Sequence, residues 1–203
     1  MVHQGDRLPS PADYDPLFAS AATLLPQLVE ATLAERLRGA ERVYENVYSG
    51  GRYEIRGGFG VVYLYRLRDA TTIVALRVYA TEWRVPHDAY EVGRRYDEMD
   101  RAFRAEPTLA AVTVPVRFSP EALRVPGWDR PLPLVLLDWA GPETLLDFVR
   151  AACTRPTAAT RAALAVVARH WRDLLATLAA QQVEHGDLSP TNAIVRRADL
   201  GLT

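Results

Sequence analysis

Residues 52–79 read Arg-Tyr-Glu-Ile-Arg-Gly-Gly-Phe-Gly-Val-Val-Tyr-Leu-Tyr-Arg-Leu-Arg-Asp-Ala-Thr-Thr-Ile-Val-Ala-Leu-Arg-Val-Tyr. Three runs in this stretch, 53–55, 61–65 and 72–79, are rich in β-branched and aromatic residues, which suit a pleated, buried surface. Gly57-Gly58-Phe59-Gly60 separates the first two runs, and Arg68-Asp69-Ala70-Thr71 separates the second from the third. Breaks this short, built from turn-forming residues, join neighbouring strands antiparallel. The stretch therefore predicts a three-stranded meander with a glycine-rich first turn.

Beyond the meander, residues 87–105 return to a helical period, with Val92, Tyr96, Met99 and Phe103 on one face. Two more strands are expected near 112–118 and 132–137, followed by the polar connection Asp138-Trp139-Ala140-Gly141. A short helix is predicted over 144–150 and a long one over 160–182, with Leu164, Val167, Trp171, Leu174, Leu175 and Leu178 turned inward. A short strand, Ala193-Ile194-Val195, comes near the end. Ahead of the meander, residues 1–13 read as a frayed leader. Asp15-Pro16 then reads as a helix start, Leu24 to Leu37 recur at helical spacing, Pro26 splits or kinks that stretch, and Gly39 stops it.

Composition narrows the chemistry. The 203 residues are 49% hydrophobic and 24% charged, with a formal net charge of −1, which suits a globular chain and gives no footprint for nucleic acid. The longest apolar runs are too short to cross a bilayer, the first residues lack the apolar stretch of a signal peptide, and the lone Cys153 cannot form an internal disulfide. A reducing, cytoplasmic setting is the expectation. All 24 residues counted as Lys or Arg are arginine. Schiff-base lysines and Walker-type phosphate loops are excluded on that ground. His3, His87 and His170 show no metal-ligand spacing.

The most specific segment is His185-Gly186-Asp187-Leu188-Ser189-Pro190-Thr191-Asn192, between the long helix and the last strand. It offers a carboxylate and, five positions on, an amide oxygen. Phosphoryl transfer uses such a pair, one group to orient a hydroxyl and take its proton, the other to help hold magnesium on the phosphates. The plainer alternative is an Asp-Leu-Ser-Pro turn capped by its own side chains. The segment resembles the catalytic loop of the protein-kinase-like superfamily, His-Arg-Asp-Leu-Lys-Pro-Glu-Asn. It is most similar to the His-Gly-Asp form of bacterial kinase-like proteins, aminoglycoside phosphotransferases and RIO-type kinases. The resemblance implies that Asp187 is the catalytic base, Asn192 a magnesium ligand and His185 a brace for the loop. Gly186 stands where regulated kinases carry an arginine that reads activation-loop phosphate, so such control is not expected.

Other segments resemble the same superfamily. Gly57, Gly60 and Val62 fall on the second glycine, third glycine and valine of its glycine-rich loop, with Gly58 between and Ile55 at the first glycine position. The resemblance implies backbone contacts to nucleotide phosphates and a valine over adenine; a plain hairpin turn is the alternative. Val74-Ala75-Leu76-Arg77 resembles Val-Ala-Ile-Lys, fifteen residues beyond Val62, with arginine in place of the lysine that holds the α/β-phosphates. Arginine keeps the charge and can grip phosphate bidentately, though its fork is larger. Strand alternation puts Ala75 and Arg77 on one face. Glu98 and Glu91 are the candidate partners of Arg77 on the 87–105 helix. Leu137 falls at the gatekeeper position, and Asp138 and Ala140 lie in a hinge whose backbone would meet the adenine edge.

The implied architecture is α+β: a protein-kinase-like two-lobed fold, with an antiparallel five-stranded N-lobe, one helix, and an incomplete helical C-lobe. Residues 1–51 form a helical extension, 52–138 the N-lobe, and 139–203 the hinge and partial C-lobe. Asp199-Leu200-Gly201 lies seven residues after Asn192, too close for the metal-binding Asp of an Asp-Phe-Gly element, and reads as a hairpin turn. The expectation is a chain that stops before that residue and leaves Leu164, Trp171 and Leu178 incompletely covered, so that a partner or second segment would complete the lobe. The expected function is an ATP- and Mg2+-dependent phosphotransferase by ancestry, inactive as this chain, with an unidentified acceptor and no nucleic-acid or membrane partner. A non-catalytic module that binds nucleotide or a partner protein is the alternative.

Overall fold

The structure is a computed structural model and describes residues 8–44, 55–57, 60–80, 89–141, 143–183, 188–196 and 201–202. The chain is mixed α/β, and it divides into two compact units: residues 1–101 with 115–139, and 102–114 with 140–203.

In the first unit the described residues build a six-stranded antiparallel sheet. Its strands are β1 (Glu41–Arg42), β2 (Ile55–Gly57), β3 (Gly60–Arg66), β4 (Ile73–Val78), β5 (Val116–Leu123) and β6 (Leu132–Asp138). The path runs β1-β3-β4-β6-β5, with β2 also paired to β3. The expected meander is β2-β3-β4, and Gly57 pairs with Gly60 so that two residues join β2 to β3. The fourth strand starts at Val116 rather than Val112. Glu106 caps a one-turn helix, α5 (Pro107–Ala110), and that turn buries Leu109 and occupies the chain ahead of Pro115. β1, inside the expected helical extension, has too few residues to leave a periodic signal.

β3 and β6 read as near-continuous apolar runs because both faces of the sheet are covered. One face presents Val61, Tyr63 and Tyr65, then Val74, Leu76 and Val78, then Leu134 and Leu136. Onto it pack Tyr14, Phe18, Leu24, Leu33 and Leu37 from the N-terminal segment. This segment is three short helices, α1 (Pro11–Tyr14), α2 (Ala21–Leu24) and α3 (Ala31–Arg36), broken by 3-10 turns at Leu17–Ala19 and Leu25–Gln27. The expected start at Asp15 is corrected: Ser10 caps α1, with Asp13 answering its backbone amide, so the first helix begins inside the expected leader. Pro26 lies in the second 3-10 turn, where the helical stretch is split as expected. Ser20 caps α2 through the amide of Thr23.

Phenol hydroxyls fix how this segment sits. Tyr14 donates to the Tyr79 carbonyl (2.8 Å), Tyr65 to the Phe18 carbonyl (2.8 Å) and Tyr63 to the Asp15 carboxylate (2.8 Å). The Phe18 ring stacks on Tyr63 at 4.2 Å. The segment also runs along one sheet edge. Val29 donates its amide to the Ala122 carbonyl, and Arg124 donates to the Gln27 carbonyl, along β5. Glu30 accepts from Ser119 (2.6 Å) and pairs with Arg117. At the opposite edge β1 pairs with β3, where the Arg42 guanidinium lies over the Tyr63 ring at 4.6 Å.

The other sheet face carries helix α4 (Ala89–Ala105), as the 87–105 periodicity predicts. A Cβ on Gly93 would fall 1.8 Å from the Phe118 ring, so that ring rests directly on the helix backbone. Asp100 accepts from the Val116 amide at 2.9 Å. Together these two contacts seat α4 on β5.

The second unit holds α5, α6 (Leu145–Thr154), α7 (Ala158–Ala180), β7 (Val195–Arg196) and β8 (Gly201–Leu202). Thr144 and Thr157 cap α6 and α7. Leu145, Phe148, Val167, Ala193 and Val195 make a core; Leu164 and Trp171 pack against it and are only partly buried, in line with the expected incomplete cover, whereas Leu178 is buried and has more cover than expected. Leu175 is corrected: it is 42% exposed, because only the Val167, Leu174 and Leu178 stripe is buried. β7 pairs antiparallel with β8, and Asp199 lies in the connection between them, outside the described residues. Among the described residues no helix is long and apolar enough to cross a membrane.

Burial pushes the phenols of Tyr14 and Tyr65 well above their ordinary range, and that of Tyr79 up to about 12. A raised folded-state value favours the neutral form. This stabilisation is complete below about pH 10 and is lost as pH rises toward the folded-state values. With no lysine to titrate beside them, the tyrosines dominate that window. Stability is expected to fall by up to about 1.4 kcal/mol per pH unit for each such phenol above pH 10. Urea midpoints measured between pH 8 and pH 11 check this. Tyr14→Phe should flatten the slope, and an unchanged slope would contradict the assignment.

Candidate functional site

The sheet face beneath α4 gathers most of the first-unit residues singled out from sequence. The register aligns Leu64, Ala75 and Leu137 across three strands, and next to them Val62, Arg77 and Val135. Val43, Leu64 and Ala75 form a buried cluster, with Val62, Ile73, Leu137 and Trp139 half-buried against it. Ala75 itself is 2% exposed. The part of this surface open to a ligand is thus lined by the half-buried members, not by Ala75.

Gly57 closes β2 opposite Gly60. Gly58 lies outside the described residues. Gly60 has a packing reason of its own: a Cβ there would sit 2.0 Å from the Val78 carbonyl oxygen. β3 and β4 approach so closely that no side chain fits, which accounts for this glycine with or without a ligand.

Arg77 is half-buried in the central strand. Its guanidinium donates to the Tyr96 hydroxyl at 3.2 Å. The Tyr79 and Tyr96 ring centroids are 5.8 Å and 5.9 Å away, near the outer limit of about 6 Å for a cation–π contact, so the hydroxyl carries more of the hold. Among the described residues no carboxylate lies within ion-pair distance of Arg77. Glu98 pairs with Arg94, and Glu91 with Arg95, one turn along the same helix. Neither candidate partner is used. The partner is Tyr96, which the helical period marks only as an inward-facing residue. A glycine inside a helix is itself a sign of close backbone approach, and Gly93, one turn before Tyr96, was the available clue.

The connection after β6 is already engaged. The Asp138 carboxylate pairs with Arg36 at 2.6 Å, with both side chains partly exposed, an arrangement worth little in stability. The amides of Asp138 and Trp139 donate to the Pro115 and Ile73 carbonyls. Ala140 opens the second unit and is half-buried.

In the second unit, His185, Gly186 and Asp187 lie outside the described residues, and the segment resumes at Leu188. Asn192 donates its amide to the Ser189 carbonyl at 2.9 Å, closing a turn with Pro190 at its second position. Leu145 and Leu146, in the first turn of α6, donate to the Ala193 and Pro190 carbonyls. The loop thereby satisfies amides that a helix start leaves open. Asn192 is exposed. Among the described residues no three His, Cys, Asp or Glu side chains converge on a metal position. Asn192 offers one neutral side-chain oxygen at this position.

No family model matches the chain, and no curated protein matches it either.

The seating of α4 can be tested at Gly93. Overpacking costs about 1–3 kcal/mol, against about 1 kcal/mol gained from helix propensity. Gly93→Ala is expected to lower stability by up to about 2 kcal/mol, and Phe118→Leu, which removes the ring edge, should absorb part of that loss. Denaturant midpoints for the two single variants and the double variant read this directly, and a more stable Gly93→Ala chain would contradict it.

Proposed function

We propose that the chain is a kinase-like nucleotide-binding protein of the phosphotransferase type, which binds ATP on the sheet face beneath α4. One observation carries the reading. Val62, Ala75, Arg77 and Leu137 come from three strands, and all turn to one face in adjacent register. That face combines what a nucleotide needs: half-buried apolar side chains for a base, and beside them a cation that, among the described residues, has no carboxylate within ion-pair distance. The meander, helix and hairpin order of the first unit supports the same resemblance, as does the pairing of β7 with β8 after the Asp187–Asn192 segment.

In this reading Val62 and Leu137 hold the adenine, with Ala75 as a covered floor. Arg77 holds phosphate through a bidentate, charge-assisted contact. Asp187 orients an acceptor hydroxyl and receives its proton. The acceptor is a hydroxyl compound of unidentified structure. A non-catalytic nucleotide-binding module is the second reading, favoured by arginine at position 77 where the resembled motif carries lysine.

Calorimetric titration with ATP and with adenosine, followed by an assay of ATP turnover, tests the proposal. Losing a charge-assisted phosphate contact costs about 1.5–3 kcal/mol, so Arg77→Ala should weaken ATP at least tenfold and leave adenosine nearly unchanged. Turnover that Asp187→Ala abolishes would establish the phosphotransferase. ATP binding without turnover would favour the non-catalytic module, and an unchanged ATP affinity in Arg77→Ala would remove the site from this face.

A further inference from the structure

We infer that Tyr96 is the positioning residue for Arg77, holding the guanidinium through a neutral hydroxyl so that its charge stays available to a polyphosphate; the inference rests on the nucleotide reading of this face. The hydroxyl of Tyr96 accepts from Arg77 at 3.2 Å. A guanidinium has five N–H donors in a fixed fork, and a hydroxyl occupies one of them while leaving the charge uncancelled. A carboxylate in the same place would take two donors side by side and neutralise the cation that the phosphates need.

The helix keeps its own acids away from Arg77. Glu91, Asp97 and Glu98 each pair with an arginine four residues along α4 or one turn back. Asp100 is engaged by the Val116 amide. The hydroxyl is also fixed in place, not merely near. Gly93 lies against the Phe118 ring, and Tyr96 follows it by three residues, on the same side of the helix. Phe118 pairs with Val135, and Val135 with Arg77, so the seat of the helix and the cation occupy one row across the sheet. Tyr79, just past the end of β4 and two residues beyond Arg77, brings its ring centroid to 5.8 Å from the guanidinium. The arrangement favours ligands rich in phosphate over the bare nucleoside.

A double-mutant cycle separates this role from a structural one. The full chain is titrated with ATP, adenosine and inorganic tripolyphosphate. Tyr96→Phe keeps the ring and removes only the hydroxyl. It is expected to weaken ATP and tripolyphosphate about fivefold, to leave adenosine affinity unchanged, and to have no further effect on ligand affinity in an Arg77→Ala background. Equal losses for ATP and adenosine, or losses that add to those of Arg77→Ala, would overturn the positioning role. If ATP fails to bind but tripolyphosphate binds in a Tyr96- and Arg77-dependent way, the anion site stands and the nucleotide reading falls. If neither ligand binds the unaltered chain, both fall.

Discussion

A guanidinium in the central strand of a sheet covered on both faces must find its partners on its own side. Arg77 is in that position: β3 and β6 flank its strand, and α4 lies over its face. Burying an unpaired charge is costly, and among the described residues a tyrosine hydroxyl and two tyrosine rings, not an acid, meet that cost. The seating of α4, the closeness of Gly93 to Phe118 and the withdrawal of the helix acids into pairs with their own arginines all bear on this one group. The result is a cation held, among the described residues, without a carboxylate, next to the half-buried Val62 in its own row and Leu137 in the adjacent one.

The opposite face explains why the N-terminal segment belongs to the sheet. A sheet of this composition cannot leave Tyr63, Leu76 and Leu136 in water, and residues 11–37 supply the cover. The segment runs from one sheet edge, where Val29 and Glu30 engage β5, to the other, where β1 joins β3. The segment thus covers part of the β5 edge, and β1 and β2 take up the edge of β3. On its way the segment reaches Asp138 through Arg36, which connects the covering layer to the strand that carries Leu137.

What could be read from sequence was set by local chemistry. Residues 52–79 announce strands because β-branched and aromatic residues alternate with glycine and aspartate turns, and the register of β3 and β4 agrees. The threonine caps of α6 and α7, like the break at Pro26, are local events and leave local marks. Features made by tertiary contact left weaker ones. Two residues of β1 become a strand only because the β3 edge is there to pair with. The late start of β5 follows from a one-turn helix that Glu106 caps. At the site, the sequence placed Arg77 and Ala75 on one face by alternation alone, but spacing could not choose a partner across 19 residues of chain. It offered glutamates by analogy, and both went to nearer arginines, as helical neighbours four apart commonly do. Gly60 shows the converse, a glycine suggestive of phosphate that the Val78 carbonyl already requires.

The central claim is that the Arg77 face receives the phosphates of a nucleotide whose base rests on Val62 and Leu137. A crystal structure of the full chain with ATP tests it most directly. The account predicts phosphate oxygens within hydrogen-bond distance of the Arg77 guanidinium, with the Tyr96 hydroxyl still in contact and the adenine against the two apolar side chains. A nucleotide bound elsewhere, with Arg77 touching only the protein, would contradict it.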